Sequence, residues 1–113
     1  MKNNTNVKLV DLMLFTKHLA MMLRSGVSLG EALEILEDQN QNKSLKAVLR
    51  GISGGIKNGQ PLAKVMAKYP KVFDPMYRSV VNIGEEFSGL NRYALIKPMV
   101  DLASIEEVLV IIP

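Results

Sequence analysis

The chain has 113 residues and a mass of 12.5 kDa, which is the length of a single domain. Hydrophobic residues make up 48% of the sequence and charged residues 22%, with a formal net charge of +3, and this globular composition argues against wholesale disorder. The sequence has no cysteine and one histidine, which excludes disulfides, thiolate metal sites and most zinc sites.

The first helix is predicted to begin at Leu12, because Asp11 can cap it and apolar residues recur behind it with helical spacing. Residues 1–10 are then expected to form a flexible tail before a single helical domain over residues 11–110. Gly26 favours a left-handed turn that ends this first helix.

The second and third helices follow from a capping motif and from apolar spacing. Ser28 and Glu31 form an S-x-x-E capping box at the start of the second helix. The third helix is predicted from apolar residues at helical spacing: Leu45, Val48, Leu49, Ile52 and Ile56. Gly51, Gly54 and Gly55 interrupt it, and each costs roughly 1 kcal/mol relative to alanine. We interpret these glycines as positions of close approach to a neighbouring helix, with local fraying as the alternative.

Prolines mark the start of two further helices. Pro61 suits the first position of a fourth helix over Leu62–Lys68, and Asp74 followed by Pro75 is a cap with a first-turn proline that opens a fifth. A sixth helix is predicted from Asn91 onward. Because no segment of useful length alternates with period 2, the predicted fold is all-α, a compact bundle of about six short antiparallel helices.

Helical spacing also predicts which side chains form the core of this bundle. Eight apolar residues recur at the i, i+3 and i+4 positions that share one face of a helix. The predicted core contains Leu19, Leu23, Leu33, Leu36, Leu49, Ile52, Val80 and Ile83.

Charge is segregated along the chain. Between Gln39 and Phe73 there are seven basic residues and no acidic one, whereas the preceding segment is acidic. Three interpretations stay open: neighbouring helices with complementary charge, a basic face for anionic lipid or an acidic protein, and a nucleic-acid surface. The basic residues taken as candidates for protein interaction are Lys43, Lys46, Arg50 and Lys57.

Gly84, Glu85 and Glu86 form a second candidate site. Two glutamates at the C-terminal end of a helix oppose its dipole, so the placement indicates a compensating partner. The alternative is that both glutamates lie in a loop, where no dipole acts on them. Gly84, interpreted as a turn residue, has no side chain, so it leaves room for such a compensating partner to approach the two carboxylates. We favour a protein contact over a cation, because a hard cation needs more oxygen ligands than this segment supplies. Both carboxylates are therefore expected to serve assembly more than folding.

No constellation typical of catalysis is present. The sequence lacks a glycine-rich phosphate loop with a lysine, an H-E-x-x-H motif and a G-x-S-x-G motif. We therefore predict that the chain is not an enzyme, holds no cofactor or metal, and binds no nucleotide tightly.

Five segments, in one order along the chain, resemble the type II secretion system protein F domain family. Residues 15–29 (FTKHLAMMLRSGVSL) are similar to the family's F-x-x-x-L-A-x-x-L-x-x-G-v-x-L opening. The remaining similar segments are 31–36 (EALEIL), 59–66 (GQPLAKVM), 69–76 (YPKVFDPM) and 84–86 (GEE).

The resemblance implies a non-enzymatic scaffold domain of an inner-membrane platform protein in type IV pilus biogenesis or type II secretion. It implies a location on the cytoplasmic face of the bacterial inner membrane, with the membrane spans outside this chain. The implied partners are the assembly ATPase, inner-membrane accessory proteins, and pilin or pseudopilin. Family members can also form homo-oligomers through this domain.

The main alternative from the residues alone is a small basic helical DNA-binding domain. It is weakened because no helix concentrates Arg, Asn and Gln on one exposed face, so no nucleic-acid partner is expected.

Overall fold

The computed structural model describes residues 7–88, and every regular element in that range is a helix. The prediction of an all-α fold is therefore confirmed. The predicted sixth helix, from Asn91, lies outside the described residues. Consecutive helices pack against each other in pairs. Their bounds are α1 (Leu9–Arg24), α2 (Leu29–Gln39), α3 (Lys43–Lys57), α4 (Leu62–Met66) and α5 (Pro75–Ser88).

Helix α1 begins three residues before the predicted start at Leu12. Its N-cap is Lys8, whose backbone N–H donates to the Asp11 carboxylate at 3.0 Å. The prediction that Asp11 precedes the helix is therefore wrong: it lies in the first turn and reaches back to a backbone donor that the helix leaves unpaired. Leu9 and Val10, which the sequence placed in the tail, are helical.

The reversal between α1 and α2 rests on Gly26 and Ser28. Gly26 has φ of 95°, in the left-handed region that glycine adopts without steric cost. Ser28 is the N-cap of α2, and its hydroxyl accepts a hydrogen bond from the Glu31 N–H at 3.2 Å. The exposed Glu31 stands in the first turn, where a carboxylate is favoured by the helix dipole.

The starts of α4 and α5 are set by Pro61 and Asp74. Pro61 is the N-cap of α4 and not its first residue, and the helix ends at Met66 instead of Lys68. Asp74 accepts a hydrogen bond from the Tyr77 N–H at 2.8 Å, so its side chain caps α5, which opens at Pro75. Pro75 costs α5 no hydrogen bond, because a first-turn N–H has no partner within the helix.

Two of the three glycines within α3 are positions of close approach. A Cβ at Gly55 would lie 2.6 Å from Cγ2 of Val65 in α4, and one at Gly51 would overlap the hydroxyl of Tyr69. A Cβ at Gly54 would meet nothing within 4 Å. Glycine at 51 and 55 therefore lets the α4 region pack directly on the α3 backbone.

Six of the eight predicted core residues are buried, and the two from α5 are not. Val80 is half-buried and Ile83 is 52% exposed. The prediction is wrong for these two residues because the buried face of α5 is the one that carries Tyr77 and Val81. Successive residues of a helix are rotated by about 100°, so Val80 and Ile83 point away from that face. The largest fully buried side chains are Phe73, Leu19, Leu33, Leu45, Leu49, Ile52, Leu62, Met66, Val48, Val65 and Val81.

A chain of aromatic contacts joins the two ends of the described structure. Phe73 lies between Phe15 of α1 and Tyr77 of α5, with ring centroids 6.2 and 5.3 Å apart. The Tyr77 and Thr16 hydroxyls share a buried hydrogen bond, and Thr16 also donates to the Leu12 carbonyl at 2.8 Å. These contacts hold α1 against the start of α5.

Candidate functional site

Two of the four basic candidates form ion pairs between α3 and α2. The Nε of Arg50 lies 2.9 Å from the Glu37 carboxylate, and the Nζ of Lys57 lies 2.7 Å from that of Glu34. The hydrogen bond to Glu34 raises the pKa of Lys57 above its ordinary value of 10.5, so this amine is charged at neutral pH. The acidic and basic segments of the sequence thus become facing helix surfaces.

These pairs account for part of the charge segregation without a partner. The Arg50 side chain is 71% exposed and that of Lys57 is 63% exposed, so water screens both pairs strongly. They contribute little to stability, and they reduce the net positive charge that Arg50 and Lys57 offer to a ligand. This favours the interpretation of complementary helices for this part of the surface.

The other two basic candidates, Lys43 and Lys46, lie in the first turns of α3. Lys43 is exposed and Lys46 is half-buried. Within residues 7–88 neither is joined to an acidic side chain. Cations at a helix N-terminus face the positive end of the helix dipole, so the fold itself gains nothing from them there. We call Lys43 and Lys46 the α3 basic pair.

Glu85 lies in the last turn of α5, near the C-terminal end of the helix as predicted, but its carboxylate has partners that were not predicted. It is half-buried and accepts hydrogen bonds from the Leu62 N–H at 2.5 Å and the Ala63 N–H at 2.9 Å. Its carboxylate therefore caps α4, where Pro61 has no side-chain oxygen to do so. The compensating partner expected for Glu85 therefore includes the backbone of a neighbouring helix, which gives this carboxylate a structural contact. A role of Glu85 in assembly stays a prediction.

Glu86 and Gly84 flank this cap on α5. Glu86 is exposed, and a role in assembly stays a prediction for it. Gly84 is buried and lies within α5, so it does not form the turn that the sequence indicated. Within the described part of the chain, no group of three or more His, Asp or Glu side chains could hold a metal ion.

A groove of about 450 Å³ lies between α4 and α5 and was not predicted. Lys64 and Ala67 line one wall, and Arg78, Ser79 and Asn82 line the other. Lys64 is one of the seven basic residues between Gln39 and Phe73, and no local sequence pattern relates it to Arg78. The helical spacing of Arg78, Ser79 and Asn82 indicates that they share one face of α5. Only the packing of α5 on α4 places that face opposite Lys64. We call this feature the α4–α5 groove.

Comparison with known proteins places most of the chain within one family's sequence pattern. Residues 15–93 match the family described as type II secretion system (T2SS), protein F. A "Type IV pilus assembly protein PilC" of Thermus thermophilus is 34% identical over 74% of this chain, and one of Myxococcus xanthus is 36% identical over 66%. A "Type II secretion system protein F" of Vibrio cholerae is 32% identical over 72%.

The chain spans about a fifth of the length of these relatives, with 20%, 18% and 20% of them covered. None of the helices within residues 7–88 is long and apolar enough to cross a membrane. The matching region includes all of α2, α3, α4 and α5 and most of α1.

Proposed function

The chain belongs to the type II secretion system protein F family, and we propose that it is a cytoplasmic scaffold domain of an inner-membrane platform protein. The platform would serve type IV pilus assembly or type II secretion. The match of residues 15–93 to the family is the observation that carries this proposal. Relatives named for pilus assembly and for secretion both match, so the choice between the two machines stays open.

We propose that the domain acts by docking and not by catalysis. Its expected partners are the assembly ATPase, inner-membrane accessory proteins, and pilin or pseudopilin. The α3 basic pair supports a docking role, because Lys43 and Lys46 face the positive end of their own helix dipole and gain no acidic side chain among residues 7–88. An acidic patch on a partner would compensate both charges.

The direct experiment measures binding of the 113-residue chain to the purified assembly ATPase from the same bacterium. Lys43→Glu with Lys46→Glu should weaken binding at least about tenfold, because it turns two attractive charges into repulsive ones. The matched control is Lys68→Glu with Lys71→Glu, which reverses two exposed charges elsewhere and should leave affinity within about twofold.

Equal weakening by both pairs would mean that net charge, and not a docking surface, determines the interaction. Failure of the unaltered chain to bind the ATPase would remove that partner from the proposal. Calorimetry with ATP checks the non-enzymatic assignment, since micromolar binding would contradict it. Salt-dependent binding to duplex DNA would favour the DNA-binding alternative instead.

A further inference from the structure

The α4–α5 groove presents two cations on opposite walls. Lys64 lines it from α4 and Arg78 from α5, and Ser79 and Asn82 add a hydroxyl and an amide on the Arg78 side. Within residues 7–88 no hydrogen bond or ion pair engages any of these four side chains. The groove therefore offers ammonium, guanidinium, hydroxyl and amide donors that the fold does not use.

Two acidic side chains near the groove, Asp74 and Glu85, accept hydrogen bonds from backbone donors. Asp74 accepts from the Tyr77 N–H at one end, and Glu85 accepts from the Leu62 and Ala63 N–H groups at the other. These carboxylates cap two helix starts, and within residues 7–88 neither forms an ion pair with Lys64 or Arg78. The exposed Glu86 lies one turn beyond Asn82 and two turns beyond Arg78 on α5, so it is nearer to the Asn82 end of the groove.

More positive charge lies along the approach to the groove. Lys68 and Lys71 are exposed on the connection between α4 and α5. Neither is paired with an acidic side chain within residues 7–88. Such a set of cations raises the local concentration of anions, and anionic membrane surfaces attract basic segments of this kind.

We propose that the α4–α5 groove binds a phosphate group, of the kind carried by an anionic phospholipid headgroup. Arg78 supplies a planar fork that can engage two phosphate oxygens, and Lys64 supplies a point charge from the facing helix. Ser79 and Asn82 donate to the remaining oxygens. The phosphate site rests on the groove alone, whereas the lipid as its source rests on the proposed role in a membrane platform.

The first arm of the test measures co-sedimentation of the 113-residue chain with vesicles of phosphatidylglycerol and phosphatidylethanolamine in equal parts. Lys64→Gln with Arg78→Gln should lower the partition coefficient at least about tenfold, since each lost cation removes a sizeable share of surface attraction. The control is Lys8→Gln with Arg24→Gln, which removes the same net charge at two exposed positions at the ends of α1 and should stay within about twofold of the unaltered chain. Phosphatidylcholine vesicles should not bind any of these proteins.

The second arm titrates inorganic phosphate while amide shifts are followed by nuclear magnetic resonance. Phosphate should shift the backbone amides of Ser79 and Asn82, and the shifts should vanish in the Lys64→Gln, Arg78→Gln variant. Arg78→Lys keeps the charge but removes the fork, so it should retain vesicle binding better than the double variant and lose most of the phosphate shifts. Circular dichroism verifies that each variant is folded.

The two arms separate the sources of the phosphate. Vesicle binding lost specifically in the groove variant supports the lipid headgroup. Phosphate shifts at the groove without vesicle binding support the site and assign it to a soluble phosphate ester. Equal loss of vesicle binding in both double variants, or neither shifts nor vesicle binding in the unaltered chain, would overturn the proposal. None of these outcomes depends on ATPase binding, which is measured separately with the α3 basic pair.

Discussion

The carboxylate of Glu85, in α5, accepts a hydrogen bond from the backbone N–H of Leu62, the first residue of α4. The same carboxylate also accepts from the Ala63 N–H at 2.9 Å. Helix α4 has only five residues and its N-cap is a proline, so it has no side-chain cap of its own. Glu85 supplies that cap from a neighbouring helix, and α4 and α5 are thereby joined by polar contacts as well as by core packing.

Glu85→Gln should destabilise the domain by about 1–3 kcal/mol. The amide keeps one acceptor oxygen but loses the charge and the second acceptor, so one part-buried N–H of α4 loses its partner. Urea unfolding followed by circular dichroism measures the change. Glu86→Gln is the matched control and should stay within about 0.5 kcal/mol of the unaltered chain, as an ordinary surface change does. Equal stability of the two variants would show that the cap is dispensable.

Alanine substitutions at Gly54 and Gly55 of α3 should change the stability of the domain in opposite directions. Gly54→Ala should raise stability by up to about 1 kcal/mol, because its Cβ would meet open space and alanine is the better helix former. Gly55→Ala should lower stability, because the same gain is outweighed by overlap with the β-branched Val65. Thermal unfolding of the two variants measures the difference. Stabilisation by both would mean that Val65 can move aside at little cost.

Gly26→Val should cost more than about 1 kcal/mol, because a β-branched side chain fits the left-handed region badly. Gly30→Ala is the companion change: Gly30 lies within α2, and an added Cβ would meet nothing within 4 Å, so this variant should be neutral or more stable. Differential scanning calorimetry distinguishes the two. An unchanged melting temperature for Gly26→Val would contradict the left-handed turn between α1 and α2.

Tyr77→Phe should destabilise the domain by about 0.5–1.5 kcal/mol, because it removes the buried hydrogen bond to the Thr16 hydroxyl while keeping the ring against Phe73. A double-mutant cycle with Thr16→Val isolates the interaction energy between the two hydroxyls. The double variant should lose less unfolding free energy than the sum of the losses in the two single variants. Strictly additive losses would show that the two hydroxyls do not interact.

Local signals explain why much of the fold was readable in advance. Gly26, Ser28 and Asp74 act on backbone groups within three residues of themselves, as their observed torsion angle and hydrogen bonds show. Apolar spacing within one helix likewise identifies the face that must be buried, and it succeeded for α1, α2 and α3. The family resemblance depends only on motifs and their order along the chain, and it identified the family that residues 15–93 match.

The sequence by itself thus determined the helical class, the positions of the main turns and the family. Only the tertiary structure decided three features: the capping contact of Glu85, the exposure of Ile83, and the position of Lys64 and Arg78 on facing walls of one groove. Glu85 and Leu62 are 23 residues apart, so no local pattern relates a carboxylate in one helix to the unpaired N–H groups of another. Their contact exists because α5 packs on α4 in one particular rotation, and that rotation is set by Tyr77 and Val81 entering a core built by all five described helices.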